Sequence, residues 1–301
     1  MIYVSNEGLS AAYSLAVEEY LLTNVTEGSL LMLWRSEPTV VVGKFQNAFA
    51  EVGVLELERR GIALVRRNSG GGTVYHDEGD LNFTFIDDRG EESPEYERFL
   101  TPVVRALRGL GIPAELGEAF DITVGGKKVS GNAESVVRGR ILHHGTLLFD
   151  TELDVLESVT GHARESVRTK AIASRPSSVC NLRSHLRRDM DIAAFTEYMR
   201  SALCGTSSVE EYSFTEDERR EIGRLYDEKY TSWEWSFGRS PRFTRECVAA
   251  DGTRFTIDVR EGIIVSVEGD AELCRALVGH RMSSRDLSPH IPEGIIEAML
   301  G

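Results

Sequence analysis

Residues 66 to 77 read Arg66-Arg67-Asn68-Ser69-Gly70-Gly71-Gly72-Thr73-Val74-Tyr75-His76-Asp77 and carry the most informative pattern of the chain. They follow Ile62-Ala63-Leu64-Val65, an apolar run typical of a buried strand. Three consecutive glycines let the backbone approach a ligand closely and turn successive amides inward around an anion. The paired arginines add fixed positive charge. This pattern predicts a cradle for a phosphate or carboxylate, although its spacing fits neither a Walker loop nor a dinucleotide-binding fingerprint. A solvated glycine turn is the alternative interpretation.

Two later segments could bring chemistry to such a cradle. In Gly125-Gly126-Lys127-Lys128-Val129-Ser130-Gly131, the glycine pair predicts a tight hairpin turn, and a strand lysine beside small residues can stabilise negative charge on a phosphate or carboxylate. In His143-His144-Gly145-Thr146, a histidine precedes an apolar strand. A solvated strand edge and a structural histidine are the respective alternatives. Adjacent residues of a strand face opposite sides, so we expect no metal site at the histidine pair.

The flanking sequence indicates the fold class. Residues 14–22 have apolar side chains at helical spacing with acids between them, which predicts an amphipathic helix. The apolar runs 30–34 and 39–43 predict two buried strands paired around the turn at Ser36-Glu37-Pro38. Strands and helices mix without regular βαβ alternation. We therefore predict an α+β fold with a mixed, largely antiparallel sheet packed by helices.

A change of pattern near residue 240 indicates a second unit. Turn-forming residues gather at 236–241, and the apolar runs 255–259 and 263–267 after them predict two strands, followed by a helical end from Ala271. We predict a large domain over residues 1–240 and a small α+β accessory domain over residues 241–301. The small unit is marginal in size for a core of its own, so we expect it to dock on the large one.

Composition excludes several classes of function. The formal net charge of −14 argues against nucleic acid as a partner, since binding phosphates needs clustered Lys and Arg. Residues 1–7 lack the features of a signal peptide and no apolar run approaches membrane-spanning length, so we expect no membrane association and a cytoplasmic location. The four cysteines lack the spacing of a zinc site, and we interpret them as reduced, mostly buried thiols.

Order and spacing together indicate a family. The Arg66–Asp77 loop, the Lys128-Val129-Ser130-Gly131 segment and the His144-Gly145-Thr146-Leu147-Leu148 strand, in this order, resemble the lipoate-protein ligases. The likeness covers nearly the whole chain, and further matching segments are Ser14–Glu19, Leu33–Arg35, Val42-Gly43 with Gln46-Asn47, Lys170–Ile172, Val179–Leu182 and Ser232–Gly238. The resemblance implies a catalytic domain of the biotin- and lipoate-ligase type, followed by the small accessory domain.

The resemblance also implies roles for individual residues. The catalytic lysine, which bridges the activated carboxylate and the α-phosphate, falls on Lys128. The residues implied to contact the nucleotide are Arg67, Gly72, Thr73, Val74, Tyr75 and Asp121. The residues implied to line the tunnel for the acyl substrate are Gly70, Gly71, His76, His144 and Gly145. No metal ligand from the protein is implied.

The implied activity is ATP-dependent protein lipoylation. ATP, with Mg²⁺ held mainly through its phosphates, would activate lipoic acid or octanoate as an acyl-adenylate with release of pyrophosphate. A lysine of an apo-lipoyl domain would then attack the adenylate, and the implied carriers are 2-oxoacid dehydrogenase E2 subunits or the glycine cleavage H protein. Positioning and electrostatics suffice for both steps.

Three positions depart from the family pattern, and two alternatives to ligation stay open. Phe120 stands where Asn is frequent, Asp80 where Asn is frequent and Cys180 where Thr is frequent. The first alternative is an ATP-independent octanoyl or lipoyl transferase that works through a cysteine thioester, for which Cys180 is the nearest candidate in sequence. The second is a non-catalytic acyl or nucleotide sensor that kept the pocket without turnover.

Overall fold

The computed structural model describes residues 1–6, 8–90, 95–117, 119–160, 166–205 and 209–301. Within these ranges the strands form four sheets, of six, four, three and three strands, packed by helices. No helix in these ranges is long and apolar enough to cross a membrane.

The largest sheet contains β1 (Ile2–Val4), β2 (Leu30–Trp34), β6 (Asp80–Asp88), β10 (Asn132–Val137), β11 (Arg140–Leu148) and β13 (Glu210–Tyr212). Their order across the sheet is β10-β11-β6-β2-β1-β13. The pairs from β10 to β2 are antiparallel, whereas β1 pairs in parallel with both β2 and β13. The prediction of a mixed, largely antiparallel sheet is confirmed.

A three-stranded sheet carries the glycine loop. It contains β3 (Thr39–Val42), β4 (Ala63–Arg66) and β5 (Val74–His76) in the order β4-β3-β5, and the loop connects β4 to β5. The prediction that β2 and β3 pair with each other is wrong, because β2 belongs to the largest sheet. Both runs are completely buried. Without alternation of apolar and polar residues, nothing in these runs selects the partner strand.

A second three-stranded sheet contains β7 (Ala114–Leu116), β8 (Ile122–Val124) and β9 (Lys127–Ser130). The turn between β8 and β9 has φ values of 57° at Gly125 and 77° at Gly126. Positive φ at both central residues is the geometry that a glycine pair favours in a tight hairpin, so the predicted hairpin is confirmed. Its pairing places Lys128 opposite Thr123.

The helices up to residue 230 are α1 (Ala11–Asn24), α2 (Ala48–Glu51), α3 (Val54–Arg60), α4 (Tyr96–Gly109), α5 (Leu153–Val159), α6 (Ile192–Cys204) and α7 (Glu216–Leu225). A 3₁₀ turn spans Leu182–His185, and π-helical turns span Tyr226–Tyr230 and Glu234–Gly238. Helix α1 differs from its predicted amphipathic character because it is buried on nearly all sides. Its acid Glu18 is buried, and Glu19 forms an ion pair of 2.7 Å with Lys229.

The C-terminal residues build the four-stranded sheet. It contains β12 (Val167–Thr169), β14 (Phe243–Val248), β15 (Arg254–Arg260) and β16 (Ile263–Glu268) in that order, with helices α8 (Ala271–Leu277), α9 (Ser284–Leu287) and α10 (Glu293–Leu300) following. The two predicted strands at 255–259 and 263–267 and the helical end are confirmed. Strand β12 comes from the preceding part of the chain and pairs with β14.

One apolar core joins the three-stranded sheet of the glycine loop to the C-terminal residues. Phe49 of α2 lies 5.4 Å from Phe237 and 5.3 Å from Phe243 between ring centroids. The Asn47 side chain donates a hydrogen bond of 2.9 Å to the carbonyl of Pro241. Residues 1–240 and 241–301 are thus closely packed, and their division into a catalytic and an accessory domain remains a prediction.

Candidate active site

A cavity of about 480 Å³ lies where the largest sheet, the glycine loop and the β8–β9 hairpin meet. The residues that the sequence predicted for the site and that line this cavity are Arg67, Gly71, Gly72, Thr73, Val74, His76, Asp121, Lys128, His144 and Gly145. Gly70 and Tyr75 do not line it. The Tyr75 side chain is buried in the core with Val40 and Phe49, because neighbouring residues of β5 face opposite sides. The structure therefore brings neither the Tyr75 ring nor Gly70 to the cavity surface.

Lys128 reaches the cavity from strand β9. Its Nζ atom lies 2.9 Å from Oδ1 of Asp121, and both side chains are partly exposed. Its backbone amide donates to the carbonyl of Ser178, and its carbonyl accepts from the amide of Cys180. A side chain at Gly131 would lie 3.3 Å from the Cε atom of Lys128. The lysine is therefore held between the hairpin and the segment that follows β12, with its charge directed at the cavity.

Arg67 organises the glycine loop from inside. Its guanidinium donates to the carbonyls of Gly70 at 2.6 Å and Gly72 at 2.7 Å and to the hydroxyl of Ser69 at 3.0 Å. Burial lowers the pKa of Arg67 to about 10, so the side chain stays charged at neutral pH. Gly71 has a φ of 86°, a conformation that favours glycine. Arg67 thus fixes the carbonyls of the loop.

Arg66 faces away from the cavity, since adjacent strand residues point to opposite sides. Its guanidinium is fully buried and donates to the carbonyls of Gly43, Gln46 and Ser236 at 2.7–3.2 Å. Burial lowers the pKa of Arg66 to about 10. The expectation that both arginines supply charge beside the cradle is wrong for Arg66, which ties the π-helical turn Glu234–Gly238 to the loop after β3.

His144 lies in a chain of buried polar contacts. Its Nε2 atom is 2.6 Å from the hydroxyl of Ser69, and its Nδ1 atom is 2.9 Å from a carboxylate oxygen of Glu18. The hydroxyl of Thr84 donates to the other Glu18 oxygen at 2.5 Å. A serine, a histidine and an acid in this order resemble the nucleophile, base and acid of a catalytic triad. Ser69 is buried and does not line the cavity, so it is not placed to act as a nucleophile. This chain fixes the ring of His144 at the cavity wall.

His76 and Asp80 form a second buried pair. The Nδ1 atom of His76 lies 2.5 Å from Oδ2 of Asp80, and His76 lines the cavity beside Trp34, with ring centroids 5.5 Å apart. Burial raises the pKa of the Asp80 carboxyl, and the hydrogen bond from His76 opposes that rise. The charge that Asp80 adds relative to the family pattern is therefore partnered by an imidazole within the wall of the cavity.

Several cavity residues were not predicted. Residues 172–177, which have no regular secondary structure, lie along the cavity, and Trp34, Tyr96 and Asn132 contribute side chains. The hydroxyl of Ser174 accepts from the backbone amide of Thr73 at 2.8 Å and from the Gln46 side chain at 2.9 Å, and it also bonds to Glu51. The segment is thus attached to the glycine loop. Its sequence has no charge cluster or periodicity that would reveal this position.

Cys180 lies outside the cavity. Its Sγ atom is 3.6 Å from Nε2 of His185, and it packs against the core beneath β9. Burial raises the pKa of the Cys180 thiol, so the thiol is protonated at neutral pH. A nucleophilic thiolate in the cavity, which a thioester mechanism needs, is not formed by this residue.

The fold and the cavity define an α+β enzyme domain with a glycine loop and a strand lysine at one site. Residues 10–204 match the family described as the lipoyl protein ligase A/B catalytic domain, and the chain belongs to this family. It is 36% identical to lipoate–protein ligase 1 of Staphylococcus aureus, with 93% of this chain and 90% of that protein covered. It is 37% identical to lipoate-protein ligase LplJ of Bacillus subtilis, with 81% and 75% covered.

Solved structures support the same assignment. A crystal structure of lipoate-protein ligase A bound with ATP matches with a TM-score of 0.67 and 29% identity, over 79% of this chain and 98% of that one. The Ta0514 protein of T. acidophilum with bound lipoic acid matches with a TM-score of 0.67 and 30% identity, over the same shares. A structural study of a bipartite lipoate protein ligase and its E2 lipoyl domain from Thermoplasma acidophilum gives 27% identity and a TM-score of 0.67, over 79% and 96%.

Proposed function

We propose that this chain activates lipoate with ATP to lipoyl-AMP, releases pyrophosphate and transfers the lipoyl group to a lysine of an apo-lipoyl carrier domain. The observation that carries the proposal is the Lys128 ammonium, held 2.9 Å from Asp121 at a cavity shared with the glycine loop. A carboxylate is a poor electrophile, and a cation beside an anion-binding loop is what its activation by a nucleotide needs.

In the first step, a carboxylate oxygen of lipoate attacks the α-phosphorus of ATP. The bond from that phosphorus to the bridging oxygen breaks, and pyrophosphate leaves with the electron pair. Lys128 is positioned to neutralise charge on the carboxylate and the α-phosphate together. Arg67 acts through the loop, because its guanidinium holds the carbonyls of Gly70 and Gly72 and so fixes the loop beside the cavity.

In the second step, the carrier lysine attacks the carbonyl carbon of the mixed anhydride. The bond from carbon to the phosphate oxygen breaks, AMP leaves, and the attacking amine loses a proton as the amide forms. Lys128 would stabilise the developing oxyanion. No covalent enzyme intermediate is needed, which agrees with the buried position of Ser69 and the protonated thiol of Cys180.

The acyl chain would occupy the part of the cavity that has apolar side chains. Apolar surface comes there from Leu15, Trp34 and Val41, and the rings of His76 and His144 form the adjoining wall. A side chain at Gly145 would collide with Oδ1 of Asn132 at 2.0 Å, so glycine keeps this strand close to its neighbour. These apolar residues suit the hydrocarbon chain of lipoate or octanoate.

Magnesium would be held mainly through the nucleotide phosphates. The part of the chain that the structure describes has no group of three or more His, Cys, Asp or Glu side chains that could hold a metal ion. Among these residues, Asp121 is the only Asp or Glu that lines the cavity. Protein-bound Mg²⁺ commonly uses one or two carboxylates together with substrate phosphates and water, so Asp121 fits as its single protein ligand.

The proposed carriers are lipoyl domains of 2-oxoacid dehydrogenase E2 subunits or the glycine cleavage H protein. The solved ligase that was studied with its E2 lipoyl domain supports the first of these classes. The cysteines Cys180, Cys204, Cys247 and Cys274 are all free, which supports the cytoplasmic location predicted from the sequence. We propose further that residues 1–240 carry the chemistry and that residues 241–301 act as the accessory unit.

Pyrophosphate release tests the first half-reaction. Full-length protein should release pyrophosphate only when ATP, Mg²⁺ and lipoate are all present, and omission of lipoate provides the background. A protein that binds ATP and lipoate without releasing pyrophosphate would be a sensor. A protein that releases no pyrophosphate but transfers a lipoyl group from an acylated donor carrier would be a transferase.

A further inference from the structure

A buried carboxylate lies directly behind the wall of the cavity. Glu51, the last residue of α2, is 2% exposed, and it does not itself line the cavity. Burial of an ionised carboxylate is costly unless hydrogen-bond donors satisfy it. The contacts of Glu51, and not its burial, therefore account for an acid at this place.

Donors to Glu51 come from two separate loops. In the segment 172–177, the backbone amide of Ser174 donates to Oε1 at 3.2 Å, and the Ser174 hydroxyl donates to Oε2. At the end of the glycine loop, the hydroxyl of Thr73 donates to Oε2 at 3.1 Å. Both Ser174 and Thr73 line the cavity. Glu51 thus joins two parts of the cavity wall that lie 101 positions apart in the chain.

The two parts of the wall are in close contact beside Glu51. The Ser174 hydroxyl accepts from the amide of Thr73 at 2.8 Å and from the Gln46 side chain at 2.9 Å. Its own proton is then directed to Glu51. A Cβ atom at Gly72 would lie 3.1 Å from Oγ and 3.3 Å from Cβ of Ser174. The absence of a side chain at Gly72 therefore lets the segment lie directly on the glycine loop.

The proposed chemistry needs a closed wall at this contact. A mixed anhydride hydrolyses in water, so the site must exclude water from it until the carrier lysine attacks. Residues 172–177 have no regular secondary structure to hold them at the cavity. Ser174 supplies hydrogen bonds from this segment to the glycine loop and to α2. Loss of these bonds would release the segment from the wall.

We infer that Glu51 is a positioning residue, which holds residues 172–177 against the glycine loop through Ser174 and so keeps water from the acyl-adenylate. The inference rests on the proposed function. Without this contact, a water oxygen attacks the carbonyl carbon of the anhydride, the bond from that carbon to the phosphate oxygen breaks, and AMP leaves. The water loses its protons to the solvent. Lipoate is regenerated, and ATP is consumed without lipoylation of a carrier.

The test measures AMP formation and carrier lipoylation by full-length protein with ATP, Mg²⁺, lipoate and an apo-lipoyl domain. In the unaltered protein, AMP and lipoylated carrier should form in equal amounts. AMP formation without the carrier gives the rate of adenylate hydrolysis. Glu51→Gln replaces an acceptor oxygen by a donor and should raise this rate about 10-fold to 100-fold, the factor by which loss of a charged hydrogen bond shifts an equilibrium. Ser174→Ala removes the other partner and should have the same effect.

A double variant distinguishes one shared contact from two separate defects. If Glu51 acts through Ser174, Glu51→Gln combined with Ser174→Ala should raise hydrolysis no further than either change alone. The control is Glu95→Gln, since Glu95 is buried, accepts from the amide of Gly90 at 2.7 Å and does not line the cavity. It should lower the thermal midpoint without increasing AMP formation.

Hydrolysis at the unaltered rate in either single variant, once the variant is shown to fold, overturns the inference. An equal rise in Glu95→Gln overturns it as well, and so do effects that multiply in the double variant. If Glu51→Gln does not fold, Ser174→Ala decides, because it changes no helix or strand. Absence of lipoate-dependent pyrophosphate release by the unaltered protein would instead refute the proposed function.

Discussion

The Nζ atom of Lys128 lies 2.9 Å from Oδ1 of Asp121, and both residues line the cavity. Both side chains are partly exposed, and ion pairs of this kind contribute only about 0 to 1 kcal/mol to stability. The contact therefore does little for the fold. The contact instead positions the lysine, which is directed at the place where we propose that the carboxylate and α-phosphate meet.

Replacement of this lysine gives the first prediction. Lys128→Ala should reduce lipoate-dependent pyrophosphate release and transfer from supplied lipoyl-AMP, each by about 100-fold or more, the usual effect of losing one electrostatic group at a reacting centre. The thermal midpoint should stay the same, because a partly exposed strand lysine adds little to the core. Both half-reactions are measured separately. The matched control is Lys127→Ala, since Lys127 is exposed and does not line the cavity. A Lys128→Ala protein that forms lipoyl-AMP at the normal rate contradicts the assignment.

The second prediction concerns Cys180. Cys180→Ser should keep at least half of the ligase activity, because burial raises the pKa of the thiol and the residue lies outside the cavity. Lipoylation of a carrier is measured with ATP present, and circular dichroism confirms the fold. Loss of transfer in a variant with a normal melting curve would favour a thioester mechanism and count against nucleotide activation.

Arg66 gives a prediction about stability. Arg66→Met should lower the free energy of unfolding by about 3 kcal/mol or more, since it removes the charged hydrogen bonds to the buried carbonyls of Gly43, Gln46 and Ser236. Urea denaturation measures the change. Arg60→Met, at an exposed arginine paired with Glu56, should change it by about 0.5 kcal/mol or less. Equal effects of the two substitutions would show that the buried hydrogen bonds of Arg66 do not stabilise the contact between the loop after β3 and the turn Glu234–Gly238.

The fourth prediction is a pH dependence of stability. Burial lowers the pKa of His143, which is packed against Phe99 and hydrogen-bonded to Glu134 at 3.1 Å. Because the folded pKa is below the unfolded value of about 6.5, the neutral ring contributes stability that is fully present above that pH and is lost as the pH falls. Thermal midpoints of His143→Gln should therefore fall less steeply between about pH 7 and pH 5 than those of the unaltered protein.

The control for this titration is His290→Gln, at an exposed histidine of the C-terminal region. Its midpoints should follow those of the unaltered protein over the same range. The interpretation fails if His143→Gln and the unaltered protein lose stability with the same slope on acidification, whatever their difference at pH 8.

Local sequence signals predicted much of the fold. The sequence predicted the Gly125-Gly126 turn from its glycine pair, and it predicted the strands 255–259 and 263–267 from their apolar runs. The sequence did not predict the strand that pairs with β3. A run that is buried on both faces has no polar side, so its pattern does not select a neighbouring strand. The sequence also did not predict the apolar core around Phe49, because this core joins side chains nearly two hundred positions apart in the chain.

In the site, too, residues in local motifs were predicted and residues placed by the tertiary fold were not. Lys128, the glycine loop and His144 belong to motifs with conspicuous chemistry, and the structure places them around one cavity. Residues 172–177 have no such composition, and their attachment through Ser174 depends on the tertiary fold. The opposite directions of Arg66 and Arg67 could have been deduced from strand alternation. The strained backbone of Phe120 could not, because φ is not visible in a side-chain pattern.

The most direct test of the account is the ATP dependence of carrier lipoylation. Full-length protein is incubated with lipoate, Mg²⁺ and a purified apo-lipoyl domain, with and without ATP, and the carrier is weighed by mass spectrometry. We predict that the carrier gains one lipoyl group only when ATP is present, and that a carrier whose acceptor lysine is replaced gains none. Lipoylation without ATP, or no lipoylation of the intact carrier with every component present, would contradict the proposed activity.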